Sequence, residues 1–476
     1  MSKTVTIPLG NGVYKNVDAL ELTDFDAELR NCYVDEMGFT RKRPGLLLFK
    51  DLTSTLGTSS YPVTGIYWWV NKNYAIVVGY NKVLKLTYSL GYATITDITT
   101  ATINMNGCPI FTTDGTYVFV ANGGKIVYTD GTTATAYISD ADCPTAVTHV
   151  DWLDGYLLAA GDGTNKFYWS DVNSSLSWNA LNYASAAGNP DPIIALKVFE
   201  RQIYLFGEQT LEIWENDGVT PFIRSAAGFY NVGCGAKYSV ITTDQAMYWV
   251  SDSNRIMKLQ NGNISMASTP YDKMLTSFTS ISDCIATKIT IEGKIFLVFT
   301  FVTEDKTLVF SESDNKWHEW TFFDGTSSKE YRWLGQCSCW ASKWGFHLVG
   351  DRNTGLIFKF SPTHYNDNGG SIRMTKATGF LNYGTEKLKR SEDIRLRVKR
   401  GFVDIGRDPR LMLRWNDNGD KWSKEHYFSL GELGDYFNQI SIKRSGMFYN
   451  RQYEIVITDD IPVVLGNGEE DITVLR

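Results

Sequence analysis

The sequence predicts an all-β chain: a β-propeller of six to seven blades, then an antiparallel, sandwich-like C-terminal β-domain. Three observations predict it. In 476 residues, 14% are aromatic and 41 glycines stand against 12 prolines, a balance that favours strands and tight turns. A composite unit recurs from about residue 64 to 360: polar turn, short apolar strand, turn, second short strand. Beyond about residue 365 the pattern changes to longer strands with strict alternation, as in Ile394-Arg395-Leu396-Arg397-Val398.

Seven copies of the unit can be aligned on Tyr74, Tyr117, Tyr156, Tyr204, Tyr248, Phe296 and Phe346, at spacings of 43, 39, 48, 44, 48 and 50 residues. A period of roughly 40–50 residues built from hairpins is the mark of a propeller blade. One four-stranded sheet cannot cover its own apolar faces, so blades stack around an axis. Residues 1–60 read as an extended arm ending in the first blade strand, 61–362 as the propeller, and 363–476 as the second domain. In the second domain the strands around 394–398, 411–415, 440–442 and 454–458 fit half-buried antiparallel sheets.

Composition excludes several function classes. No apolar run approaches the 18 or so residues of a membrane span, and the N-terminus lacks the apolar core of a secretory signal, which predicts a soluble protein made in a cytoplasm. Seven scattered cysteines and five histidines show no zinc spacing, so reduced, packed thiols are expected, with no metal and no cofactor. No nucleophile elbow, phosphate loop or dinucleotide fingerprint appears; Gly233-Cys234-Gly235 is only a fragment of one. The turns at 366–370 and 417–420 lack a full set of oxygen ligands for calcium.

Two features remain as candidate sites. The stretch from Trp415 to Ser423 resembles the Asp-box turn of sialidases and other propellers: Asp417, Gly419 and Trp422 match, while Trp415 and Lys421 replace its Ser and Thr. In that motif the Asp bonds backbone amides, the Gly takes positive φ and the Trp packs beneath, a structural role even in enzymes. The second feature is charge. The chain is net −7, yet residues 371–414 hold 12 Lys+Arg against 5 Asp+Glu, a local +7. Lys387, Lys389, Arg390, Arg395, Arg397, Lys399 and Arg400 are the candidate docking surface for an acidic protein partner. A solvated strand face is the plainer reading of the same residues, because several alternate with apolar ones.

Several stretches, in order along the chain, resemble the packaged-DNA stabilisation proteins of short-tailed bacteriophages, also called tail hub or nozzle proteins. They are Asn31-Cys32-Tyr33 with Arg43-Pro44-Gly45-Leu46, Phe167-Tyr168-Trp169-Ser170-Asp171 running on to Trp178, residues 203–218, residues 228–251, and residues 409–459. All are strand-and-turn signatures, so no catalytic residue is carried over. The resemblance implies a non-enzymatic virion tail component, assembled in the bacterial host cytoplasm. It implies a homo-hexameric ring below the head-to-tail adaptor that extends the DNA channel, retains the packaged genome and supports ejection. Tail fibre, spike or needle and plug proteins would attach to it, and genome DNA would pass without sequence-specific binding. The acidic composition and abundant Trp and Tyr agree with a sliding channel wall and large subunit interfaces. The alternative is a glycan-binding or sialidase-like propeller, which a convergent cluster of arginines and carboxylates at one propeller face would favour.

Overall fold

The computed structural model describes residues 2–17, 25–58, 60–100, 107–132, 135–161, 163–218, 221–400, 408–431 and 437–475. Each of the seven sequence copies forms the middle two strands of a four-stranded antiparallel unit. Five units are separate sheets spanning residues 63–97, 110–137, 149–185, 193–230 and 241–266. The sixth, 285–319, and the seventh, 335–361, are built into larger sheets. The fold is thus the predicted propeller, with seven such units among the described residues.

Burial explains why these strands were visible. The second strand of each unit lies between neighbouring blades and is apolar on both faces. Tyr74–Gly79, Val118–Ala121, Met247–Val250 and Phe346–Asp351 are buried at every position. Outermost strands such as Tyr92–Asp97 are largely exposed. Tight turns join the hairpins where both central residues can take positive φ, as at Asp154-Gly155 (48° and 91°) and Glu292-Gly293 (49° and 83°).

The last unit contributes only three strands of its own, Gly335–Ala341, Phe346–Asp351 and Leu356–Ser361. Its fourth is Gly45–Asp51, antiparallel to Leu356–Ser361 with Gly45 opposite Ser361. The N-terminal arm therefore ends in the outermost strand of the last blade, where a first blade strand was expected. Joining the strand that precedes the first blade to the last blade in one sheet is what closes the ring.

The rest of the arm is woven into the C-terminal domain. Asp26–Arg30 continues the sixth blade's sheet, parallel to its outer strand through Arg30 and Glu319, and pairs on its other side with Met374–Thr378. Arg451–Ile457 and Arg410–Asp417 follow in the same sheet. A second sheet comprises Ser2–Ile7, Gly468–Val474, Lys389–Arg400, Val463–Leu465, Thr40–Lys42 and Cys32–Val34, with Phe437–Phe448 also on Lys389–Arg400. Ile394, Leu396 and Val398 of this sheet share a core with Leu413, Ile455 and Ile457 of the other, which is the sandwich-like arrangement expected. That core also takes in Tyr248 and Phe299 of the propeller. All seven cysteines are unbonded and five are buried.

Candidate docking surface

The strand Lys389–Arg400 carries most of the basic segment, and its alternation decides which cations can meet a partner. Ile394, Leu396 and Val398 face the core, so Arg395, Arg397 and Lys399 stand on the other face. The neighbouring strand, Gly468–Val474, brings Glu469, Glu470 and Asp471 alongside. Arg395 donates to both oxygens of Asp471 at 2.6 and 3.0 Å and to Asp393 at 3.2 Å. The hydrogen bonds from Arg395 and Thr4 hold the Asp471 carboxyl down at about 2. Arg390 pairs with Glu392 at 2.7 Å. Lys389 is buried, and its amine donates to the carbonyls of Thr385, Lys387 and Tyr449 at 2.7, 2.8 and 2.6 Å.

Three of the seven candidate cations are thereby engaged within the chain. Lys387 is exposed on the loop before the strand, and the side chain of Arg400 lies outside the described residues, as does Arg407. The outward pair is Arg397, 69% exposed with one long contact of 3.4 Å to Glu469, and the exposed Lys399. Both line a groove of about 890 Å³ together with Met37, Phe39, Arg41 and Val464. Met37 is 81% exposed, and Arg41 is steadied by Asp35 at 2.7 Å. Exposed apolar side chains beside three cations suit an extended acidic segment with an apolar anchor. Met37 and Phe39 were not singled out from sequence, because isolated apolar residues in an arm carry no periodic signal.

The Asp-box-like turn keeps its glycine geometry, with Gly419 at φ 82°. Its acid acts differently from the motif. Both Asp417 oxygens accept from Arg451, at 2.6 and 3.0 Å, and Asn418 instead accepts the amides of Tyr449 and Asn450 at 2.8 and 3.3 Å. A buried guanidinium outcompetes backbone amides for a carboxylate because it brings opposite charge as well as two donors. Trp422 packs beneath the Arg414 guanidinium, 4.7 Å from its ring centre.

A second cavity, of about 320 Å³, is lined by Arg30, Arg373 and Arg414 and by Glu28, Glu330 and Glu454. It lies where the arm meets the C-terminal sheet, and its charges are matched internally. Arg30 pairs with Glu28 and Glu330, Arg373 lies 3.8 Å from Glu330, and Arg414 is 2.5 Å from Glu454. Among the described residues no group of three His, Cys, Asp or Glu is placed to hold a metal, and no helix is long and apolar enough to cross a membrane.

A third constellation could not be read from sequence. Arg43, fully buried, satisfies all its donors: Asn31 Oδ1 at 2.9 Å, the carbonyls of Pro44 and Thr321 at 3.1 Å each, and both oxygens of Asp367. It ties the closing strand to the segment after the last blade across more than 300 residues, a separation that leaves no local signal.

The family model described as Bacteriophage P22 Gp10, beta-propeller, matches residues 5–365. No curated protein is significantly similar in sequence. Among solved structures, PorZ of Porphyromonas gingivalis, a bacterial surface component of the type-IX secretion system, aligns over 78% of this chain and 45% of its own, at 8% identity and TM-score 0.40. The extracellular domain of the putative hybrid two component system BT4673 from B. thetaiotaomicron aligns over 87% of this chain and 58% of its own, at 10% identity and TM-score 0.45. The chain spans about half the length of these solved chains, and likenesses so distant bear on no function. The family match covers well over half the sequence, and its description names the architecture that the strand pairing shows. The chain therefore belongs to the Bacteriophage P22 Gp10 β-propeller family, the packaged-DNA stabilisation proteins that its motifs resemble.

Proposed function

We propose that the chain is a non-enzymatic subunit of a short phage tail, forming a homo-hexameric ring below the head-to-tail adaptor that extends the DNA channel and retains the packaged genome. The observation that carries this reading is the family match over residues 5–365. The adaptor or a tail appendage would dock an acidic, apolar-anchored segment in the groove beside Arg397 and Lys399. A ring requires two different faces on each subunit.

The glycan-directed alternative would draw on the cavity between Arg30, Arg373 and Arg414. Each of those arginines already has a glutamate of its own chain within 4 Å, so a sugar carboxylate would have to displace one. That competition favours the tail reading. Native mass spectrometry of the chain, alone and mixed with its portal–adaptor complex, tests it. Six copies on one adaptor ring is the expected result; a chain that ignores the adaptor but binds a glycan array would replace the proposal with the alternative.

A further inference from the structure

The innermost strand of every blade is the end strand of its sheet, with only a single bridge from Tyr238 to Ile285 beyond it in the sixth, so the axis of the propeller is lined by strand edges. These edges enclose a cavity of about 460 Å³ to which all seven units contribute, from Thr64 in the first to Ser338 in the last. Its charge is opposite to that of the chain as a whole. The lining includes Lys197, Lys237 and Lys288 and contains no Asp or Glu.

Only one of these cations is compensated. Lys197 forms an ion pair with Asp151 at 2.8 Å, and that carboxylate also accepts the amide of Val198 at 2.9 Å. Lys237 lies over the ring of Tyr238, 4.9 Å from its centre, and Lys288 donates to the Thr242 carbonyl at 3.3 Å. Neither has a carboxylate within ion-pair distance among the described residues. His149 adds no charge at neutral pH: burial pushes it down to about 4, and Lys237 and Lys197 repel its protonated form. The ring donates its Nε2–H to the Lys237 carbonyl at 2.9 Å, fixing the backbone beside that lysine. Tyr238, Thr242, Gln336 and Ser338 add neutral polar groups to the wall.

Lys237 and Lys288 thus bring two ammonium groups without a carboxylate partner to a partly enclosed space whose lining holds no acidic residue, where charge is screened less than in bulk water. A chain with a net charge of −7 has no general need of cations there. An oxyanion in the cavity would give these two ammonium groups charge-assisted hydrogen bonds. The volume suits inorganic phosphate or the monoester end of a nucleotide and has no room for a duplex. We propose that the axial cavity of the propeller is a binding site for a small phosphate-type oxyanion, held between Lys237 and Lys288. This inference does not depend on the tail reading, since the cavity lies within one chain.

The test is thermal unfolding and titration calorimetry of the full chain with sodium phosphate, and separately adenosine monophosphate, against sodium chloride at equal ionic strength. A saturable, 1:1 stabilisation by phosphate or its monoester is expected, and which arm binds more tightly identifies the source. In Lys237→Gln/Lys288→Gln, affinity should fall at least 10-fold while the unliganded midpoint does not fall, because neither lysine has a carboxylate partner to lose. Lys424→Gln, exposed on the C-terminal domain, should bind like the parent. No phosphate effect beyond that of chloride, or equal binding by the double variant, would overturn the proposal.

Discussion

Substituting Asp367→Ala strikes the point where the propeller is closed. Asp367 is 2% exposed and takes two of the five guanidinium donors of Arg43, which is itself fully buried. The remaining donors keep their partners in Asn31, Pro44 and Thr321. The variant therefore leaves two donors unpaired, at about 1–3 kcal/mol each, on a cation that has lost its counter-charge. The two contributions together agree with the roughly 3–5 kcal/mol that breaking one side of a buried ion pair costs. Solvent screening does not reduce this, because neither partner reaches water. Arg43 lies over Trp320, 5.5 Å from the ring centre, so tryptophan fluorescence during urea unfolding reports on the site. The paired variant Arg43→Met/Asp367→Leu removes both charges and should recover most of the loss. If Asp367→Ala unfolds within about 1 kcal/mol of the parent, or the double variant is as unstable as the single, the ion pair is not what secures closure.

Gly45→Ala attacks the same closure by sterics: a Cβ would stand 2.0 Å from the Asn366 carbonyl oxygen, and a loss of about 1–3 kcal/mol in urea is expected. Burial pushes His318 down to about 3, and neither ring nitrogen has a hydrogen-bond partner. The unfolded chain takes up that proton near 6.5 and the folded chain only near 3, so stability is lost as pH drops through that window, by up to about 1.4 kcal/mol per unit. His318→Phe should remove this component, its advantage over the parent widening from pH 7 to pH 4; parallel stability curves would contradict the assignment. Arg395→Ala should cost about 1 kcal/mol or less, since its pairs are partly solvated, whereas Arg397→Ala/Lys399→Ala should leave the unfolding midpoint unchanged and weaken adaptor binding measured by calorimetry.

What could be read from sequence follows from where the information is local. Strands such as Tyr74–Gly79 are buried on both faces, so each announces itself as a continuous apolar run beside its own turn. Gly45–Asp51 is just as regular a strand, but its partner is Leu356–Ser361, and nothing near residue 45 points there. The basic segment is only partly legible for the same reason. Its excess charge is real along the chain, yet Arg395 faces Glu469 and Asp471 on a strand that sequence proximity does not bring together. Asp417 was recognised as a turn residue from its neighbours, while its actual partner, Arg451, lies in another strand. Charge pairing in a sheet is decided by register, and register across distant strands is the part that composition cannot carry.

The same long-range pairing governs how the groove and the propeller can act together. The arm supplies Ser2–Ile7 and Thr40–Lys42 to one sandwich sheet, Asp26–Arg30 to the other, and Gly45–Asp51 to the last blade. A cut at 362/363 would leave each part with strands belonging to the other, so the sequence boundary is not a folding boundary. The sixth blade runs into the sandwich through one continuous sheet, and the apolar core passes from Tyr248 and Phe299 to Leu413 and Ile455 without a break. Among the described residues no linker hinge separates the groove at Arg397 from the propeller axis. A partner seated in the groove would therefore act on the propeller through packed strands, and a load on that contact would pass into the sheet that crosses between the two domains.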